Sequence, residues 1–128
     1  VILGKSRRKK MHAIIIAAHG SRSESANREV REIADQLRAS IHADTICAAF
    51  MEFGSPSIAQ AIDEAVQAGA DAISVFPYFL CAGMHITQDI PQLLEKCQQR
   101  HPQVPIRQLD YFGRSTAAIV ALIATKLT

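Results

Sequence analysis

Two histidines stand where an imidazole can do chemistry. His19 follows an apolar run, in Ala17-Ala18-His19-Gly20-Ser21-Arg22, and His85 closes Pro77-Tyr78-Phe79-Leu80-Cys81-Ala82-Gly83-Met84-His85, just before Asp89-Ile90-Pro91. Two imidazoles facing one cleft hold a divalent metal or move protons near neutral pH. Glu52, in Phe50-Met51-Glu52-Phe53-Gly54, adds a carboxylate flanked by aromatic and thioether groups, a setting expected to desolvate it in part and suit it to proton exchange. Each has a plainer reading: His19 satisfies a buried strand end, Glu52 faces solvent, and the apolar segment 78–82 covers a subunit interface.

The elements that must position these residues are legible as apolar patterns. Ala13 to Ala18, Thr45 to Phe50, Ala72 to Phe76 and Pro105 to Leu109 are continuous apolar runs, expected of strands covered on both faces of a parallel sheet. Between them the apolar residues recur at helical spacing: Ala26, Val30, Ile33, Leu37 and Ile41; then Ile58, Ala61, Ile62, Ala65 and Val66 after Ser55-Pro56-Ser57, with Gly69 as a stop; then Ile90, Leu93, Leu94 and Cys97. A last helix carries Ile119, Val120, Ile123 and Leu127, with Ser115 or Thr116 to cap it. The order βαβαβαβα predicts an α/β protein with an open, doubly wound, parallel four-stranded sheet, right-handed crossovers and helices on both faces. Ligands of such sheets bind beyond the carboxyl ends of the strands, which selects loops 19–24, 51–56, 77–88 and 110–115. His19, Glu52 and His85 all lie in this set; His12, His42 and His101 do not.

Length and composition narrow the class. The 128 residues suit one domain, and 48 % hydrophobic residues supply a sizeable core. No apolar stretch is long enough to span a bilayer, and no secretory signal is visible. Cys47, Cys81 and Cys97 form no C-x-x-C pair, so neither a zinc knuckle nor an iron–sulfur motif is supported, and a reducing cytoplasm is expected. The formal charge of +2 is carried by residues 1–10, a basic head with Lys5, Arg7, Arg8, Lys9 and Lys10, read as a leader or cloning remnant ahead of a single domain at 11–128. Without it 9 basic residues face 12 acidic ones, a net −3, so the folded part has no basic field for nucleic acid.

His19-Gly20-Ser21-Arg22 at a strand end also invites comparison with the histidine phosphatases, which place an arginine directly before the histidine to hold phosphate. Here that position is Ala18. The stronger match is elsewhere. His19-Gly20-Ser21-Arg22, Phe50-Met51-Glu52 followed by Ser55-Pro56-Ser57, and Pro77 through Pro91 with Phe79-Leu80, Gly83, His85 and Asp89-Ile90-Pro91 together resemble the small class II tetrapyrrole chelatases. These are the sirohydrochlorin cobaltochelatases and their siroheme- and nickel-related relatives, built from flavodoxin-like βα repeats. The resemblance runs over residues 11–127. Two departures stand out: Tyr111-Phe112-Gly113-Arg114 replaces a Pro-Leu-Gly-like turn, and the histidine-rich loop of nickel-inserting relatives is missing.

The resemblance implies insertion of a divalent metal, Co²⁺ before Fe²⁺ or Ni²⁺, into sirohydrochlorin for cobalamin or siroheme. His19, His85 and Glu52 would bind the metal and take the pyrrole protons. Ser21, Arg22, Phe79, Leu80, Gly83 and Met84 would contact the tetrapyrrole, with Arg114 as a further cation for its carboxylates. The metal is then a substrate, no resident cofactor is expected, and the short single-lobe form implies a homodimer that completes the cleft. A cytoplasmic metal or tetrapyrrole carrier on the same fold is the non-enzymatic alternative; a regulatory module would show no metal affinity.

Overall fold

The computed structural model describes residues 9–128. The basic head thus lies outside the described residues except for Lys9 and Lys10; both are exposed, and Lys9 Nζ lies 3.4 Å from Asp44. Four parallel strands, β1 (His12–Ala18), β2 (Thr45–Phe50), β3 (Ala72–Pro77) and β4 (Ile106–Gln108), form one sheet in the order β2-β1-β3-β4. The helices are α1 (Glu24–Ser40), α2 (Ile58–Gln67), α3 (Ile90–Arg100) and α4 (Thr116–Leu127).

The order of strands dictates where the helices go. The chain moves from β1 to β2 in one direction and then crosses β1 to β3 and on to β4 in the other, so right-handed crossovers put α1 on one face and α2 and α3 on the opposite one. Two cores result. Ile15, Ala17, Ala49 and Val75 pack with Ile58, Ile62, Ile90 and Leu94 under α2 and α3, while Ile16, Ala18, Ala48 and Phe50 pack with Ala34, Val30 and Leu37 of α1.

Local chemistry sets the ends of α2. Ser57 and Gln60 form a reciprocal capping box, and Gly69 at φ +100° stops the helix as its spacing predicts. Asp63 of α2 then ties down the end of α3, 2.8 Å from Arg100 and 2.7 Å from His101. Hydrogen bonds from these two partners hold the Asp63 carboxyl below the ordinary aspartate range.

The last helix departs from the pattern. None of its residues is buried, and only Ile119 is half-buried, whereas Ile119, Val120, Ile123 and Leu127 were expected to face the core. Neither Ser115 nor Thr116 makes a side-chain cap. The physical reason lies just before the helix: Gly113 N donates to Phe79 O at 2.8 Å, which pins the chain to the rim, and α4 starts three residues later. The sheet face beside α1 is therefore only partly covered. An open apolar trough of about 390 Å³ remains there, walled by Ile14, Ile16, Phe76 and Leu109 of the sheet side and Ile33 and Leu37 of α1.

Candidate active site

The neighbours β1 and β3 carry the chain onward in opposite directions, so the crevice between their carboxyl ends is the topological switch point of the sheet. His19 leaves β1 there and His85 follows β3. Their rings come together with centroids 4.9 Å apart, although the residues are 66 positions apart in sequence.

Glu52 is delivered to the same point by backbone. Beyond the regular ladder, Met51 N donates to Ala18 O and Glu52 N donates to His19 O, both at 2.9 Å, so the loop after β2 runs alongside His19. Gly20 permits this approach: a Cβ there would lie 1.7 Å from the Glu52 carbonyl oxygen, and its φ is +94°. Glu52 Oε2 ends 3.6 Å from His19 Nε2. The carboxylate is more open than its neighbours suggested, with 55 % of its side chain exposed, because Phe50 points into the core and leaves Glu52 facing solvent. The expected desolvation of Glu52 is thus not found. Nor does His19 satisfy a buried strand end, since 44 % of its side chain is exposed.

The hydrogen bonds define which nitrogen each histidine offers. His19 Nδ1 lies 3.0 Å from Gly20 O and His85 Nδ1 lies 2.9 Å from an Asp89 carboxylate oxygen. A carbonyl and a carboxylate only accept, so in the neutral ring each Nδ1 carries the proton and each Nε2 keeps its lone pair. This is the tautomer that a metal ligand or proton acceptor needs, enforced by an outer partner. Asp89 was not among the expected site residues, although its place four residues after His85, on one helical face, was a legible signal. The two sit on a π-helical turn, His85–Asp89, a distortion that recurs at functional sites. Asp89→Ala is expected to weaken Co²⁺ binding about 10- to 100-fold, the usual loss when such an orienting partner is removed, as read by calorimetric titration.

The other expected contacts divide. Leu80 and Met84 are exposed, 68 and 62 %, at the rim. Phe79 is instead half-buried against the α2–α3 core, and its ring lies 5.9 Å from that of His85, so it supports the histidine as well as edging the cleft. Gly83 provides the carbonyl that starts the π turn, accepting from Ile86 N and Thr87 N; a Cβ there would meet nothing. Ser21 is held by buried Asn27, whose amide also reaches Phe53 O, and Arg22 stacks on the Phe53 ring. Asn27 and Phe53 escaped the sequence reading because nothing local distinguishes a helical Asn or a loop Phe. Arg114 is exposed on the 3₁₀ turn Phe112–Arg114. Among the described residues, no three His, Cys, Asp or Glu side chains form a ready-made metal cage, so the two imidazoles are the core of the site and Glu52 stands beside one of them. Burial pushes the Cys47 and Cys97 thiols up, which makes both inert packing groups.

Comparison with known proteins identifies the family and the fold. A sirohydrochlorin cobaltochelatase from Methanococcus maripaludis is 37 % identical over 84 residues, 66 % of this chain and 58 % of the relative. A second, from Methanocaldococcus jannaschii, is 34 % identical over 91 residues, 71 % of this chain and 64 % of that protein. The chain thus spans about three fifths of the length of the curated relatives it matches. The fold matches the CbiX protein of Marinobacter aquaeolei with a TM-score of 0.77 and 30 % identity, over 92 % of this chain and 96 % of that one. It also matches the sirohydrochlorin chelatase SirB of Bacillus subtilis in complex with cobalt, with a TM-score of 0.72 and 28 % identity, over 77 % of this chain and 42 % of SirB. The sequence model of the CbiX family covers residues 13–127, from β1 to the end of α4, and the chain belongs to that family.

Proposed function

We propose that this chain inserts a divalent metal, Co²⁺ foremost, into sirohydrochlorin, in the service of cobalamin or siroheme synthesis. The observation that carries this reading is the pair of imidazoles with both Nδ1 atoms tied to acceptors and neither Nε2 in a hydrogen bond, the Glu52 carboxylate standing 3.6 Å from that of His19. Neutral imidazole suits Co²⁺, Ni²⁺ and Fe²⁺ alike. Insertion exchanges two pyrrole protons for one M²⁺. The metal is held first by His19 and His85, passes to the ring nitrogens, and the released Nε2 atoms accept the two protons. Glu52, beside His19 Nε2 and open to water, relays protons to solvent. The metal is substrate, and no resident cofactor is required.

The test is turnover. With catalytic protein, excess sirohydrochlorin and Co²⁺, the absorbance change should continue well beyond one equivalent of protein. A change that stops at one equivalent would identify a carrier, and none at all would leave a module without this chemistry.

We further propose a homodimer in a reducing cytoplasm. The setting is supported by the free thiols of Cys47, Cys81 and Cys97. The dimer is supported by α4 and the trough. Val120, Leu122, Ile123 and Leu127 are 50–79 % exposed, and covering that remaining half or more of each contributes about 1–2 kcal/mol per side chain. A helix from one copy laid in the trough of the other covers both surfaces reciprocally, as a two-fold contact requires. The double variant Val120→Asp/Ile123→Asp is expected to shift the light-scattering mass from dimer to monomer; a wild-type monomer at working concentration would contradict the proposal.

A further inference from the structure

Phe53, directly after Glu52, has φ +58°. This left-handed conformation strains a bulky side chain such as phenylalanine, and glycine adopts it without that strain. Phe53 nevertheless leaves 51 % of its surface exposed, so core packing does not repay the strain. The conformation is fixed from below by Asn27, only 2 % exposed, whose Nδ2 donates to Phe53 O at 3.1 Å and to Ser21 O at 2.8 Å while its Oδ1 accepts from Ser21 N. One buried amide therefore locks together the loops that carry Arg22 and Phe53, which are also the loops that carry His19 and Glu52. The Arg22 guanidinium lies 4.6 Å from the centre of the Phe53 ring. Among the described residues Arg22 has no carboxylate partner, so its donors are free.

An exposed aromatic face stacked with an unpaired guanidinium matches a flat conjugated ring that bears carboxylates: the face takes the ring, and the guanidinium takes a carboxylate. Strain held at an exposed side chain is itself a mark of such a role. We propose that Phe53 and Arg22 form the platform that docks the macrocycle beside the histidine pair, with Asn27 as its positioning residue. This rests on the chelatase reading, and it assigns the substrate face to a residue outside the expected contacts.

The experiment titrates metal-free sirohydrochlorin into wild type, Phe53→Gly, Phe53→Asn and Arg22→Lys, following its fluorescence, with Co²⁺ affinity and Tm measured in parallel. Asparagine tolerates the left-handed backbone, which covers the case in which the glycine variant misfolds. Both Phe53 variants are expected to bind sirohydrochlorin about tenfold more weakly, an effect of the size an aromatic contact supplies. Their Co²⁺ affinity should be unchanged, and the Tm of Phe53→Gly equal to or above that of wild type. Arg22→Lys, which keeps the charge but loses the planar fork, should weaken binding several-fold. Wild-type sirohydrochlorin affinity in both Phe53 variants overturns the platform while leaving the chelatase reading standing. A lowered Tm with unchanged binding would do the same, by showing a structural role. Failure of wild type to bind sirohydrochlorin overturns both.

Discussion

Replacing His19 or His85 by alanine is expected to lower metal insertion at least about 100-fold, the scale of a positioned proton acceptor, before any loss of metal capture is counted. The fold should hardly notice. The side chains are 44 and 39 % exposed, and their polar links are few: Gly20 O and the Glu52 carboxylate for His19, Asp89 for His85. Surface changes of that kind move stability by about 0.5 kcal/mol or less, a Tm shift of about 2 °C in a chain of this size. The double variant should be little worse than either single one, because the two rings act on one ion and removing either already breaks the pair. Steady-state insertion assays and thermal melts on the three variants check this. Strictly additive losses would mean that the rings work independently.

Gly20→Ala is expected to cost about 2–4 kcal/mol of stability, a Tm drop of about 10 °C. Two costs coincide at this position. The φ of +94° is unfavourable for alanine, and the new Cβ would stand 1.7 Å from the Glu52 carbonyl oxygen. That oxygen has little room to retreat, since Glu52 N is bonded to His19 O and the next carbonyl, of Phe53, is held by Asn27. The loops after β1 and β2 would have to part, taking Glu52 away from His19, so insertion should fall together with Tm. Gly83→Ala is the internal control for the melt: its φ is not in the left-handed range and a Cβ meets nothing within 4 Å, so stability should be unchanged.

How far the sequence carries can be judged element by element. The second strand, Thr45–Phe50, has the boundaries its apolar run predicts although it is an edge strand, because its residues enter both cores, Ile46, Ala48 and Phe50 on one face and Ala49 on the other. The fourth is shorter than Pro105 to Leu109, and none of its three residues is fully buried. The carboxyl-end rim that holds His19, Glu52 and His85 follows from the βα order; their meeting on it rests on the strand order and on the hydrogen bond from Glu52 N to His19 O, which the sequence does not declare. The burial of α4 did not follow. An apolar helix declares only that it needs a partner surface; whether that surface belongs to the same copy depends on the linker, and here Gly113 is tied to Phe79 first. Asn27 was equally illegible, because it joins Ser21, six residues away, to Phe53, 26 residues away. The desolvation expected for Glu52 failed for a related reason: neighbours in sequence need not be neighbours in space, and Phe50 turns inward.

In the proposed mechanism one ion is gripped by the Nε2 atoms of both histidines. Cobalt K-edge X-ray absorption on the Co²⁺-loaded protein reads the number of imidazole ligands directly through their outer-shell scattering. Wild type should show two imidazoles, and His19→Ala and His85→Ala one each. An imidazole count that stays the same in both variants would contradict that mechanism.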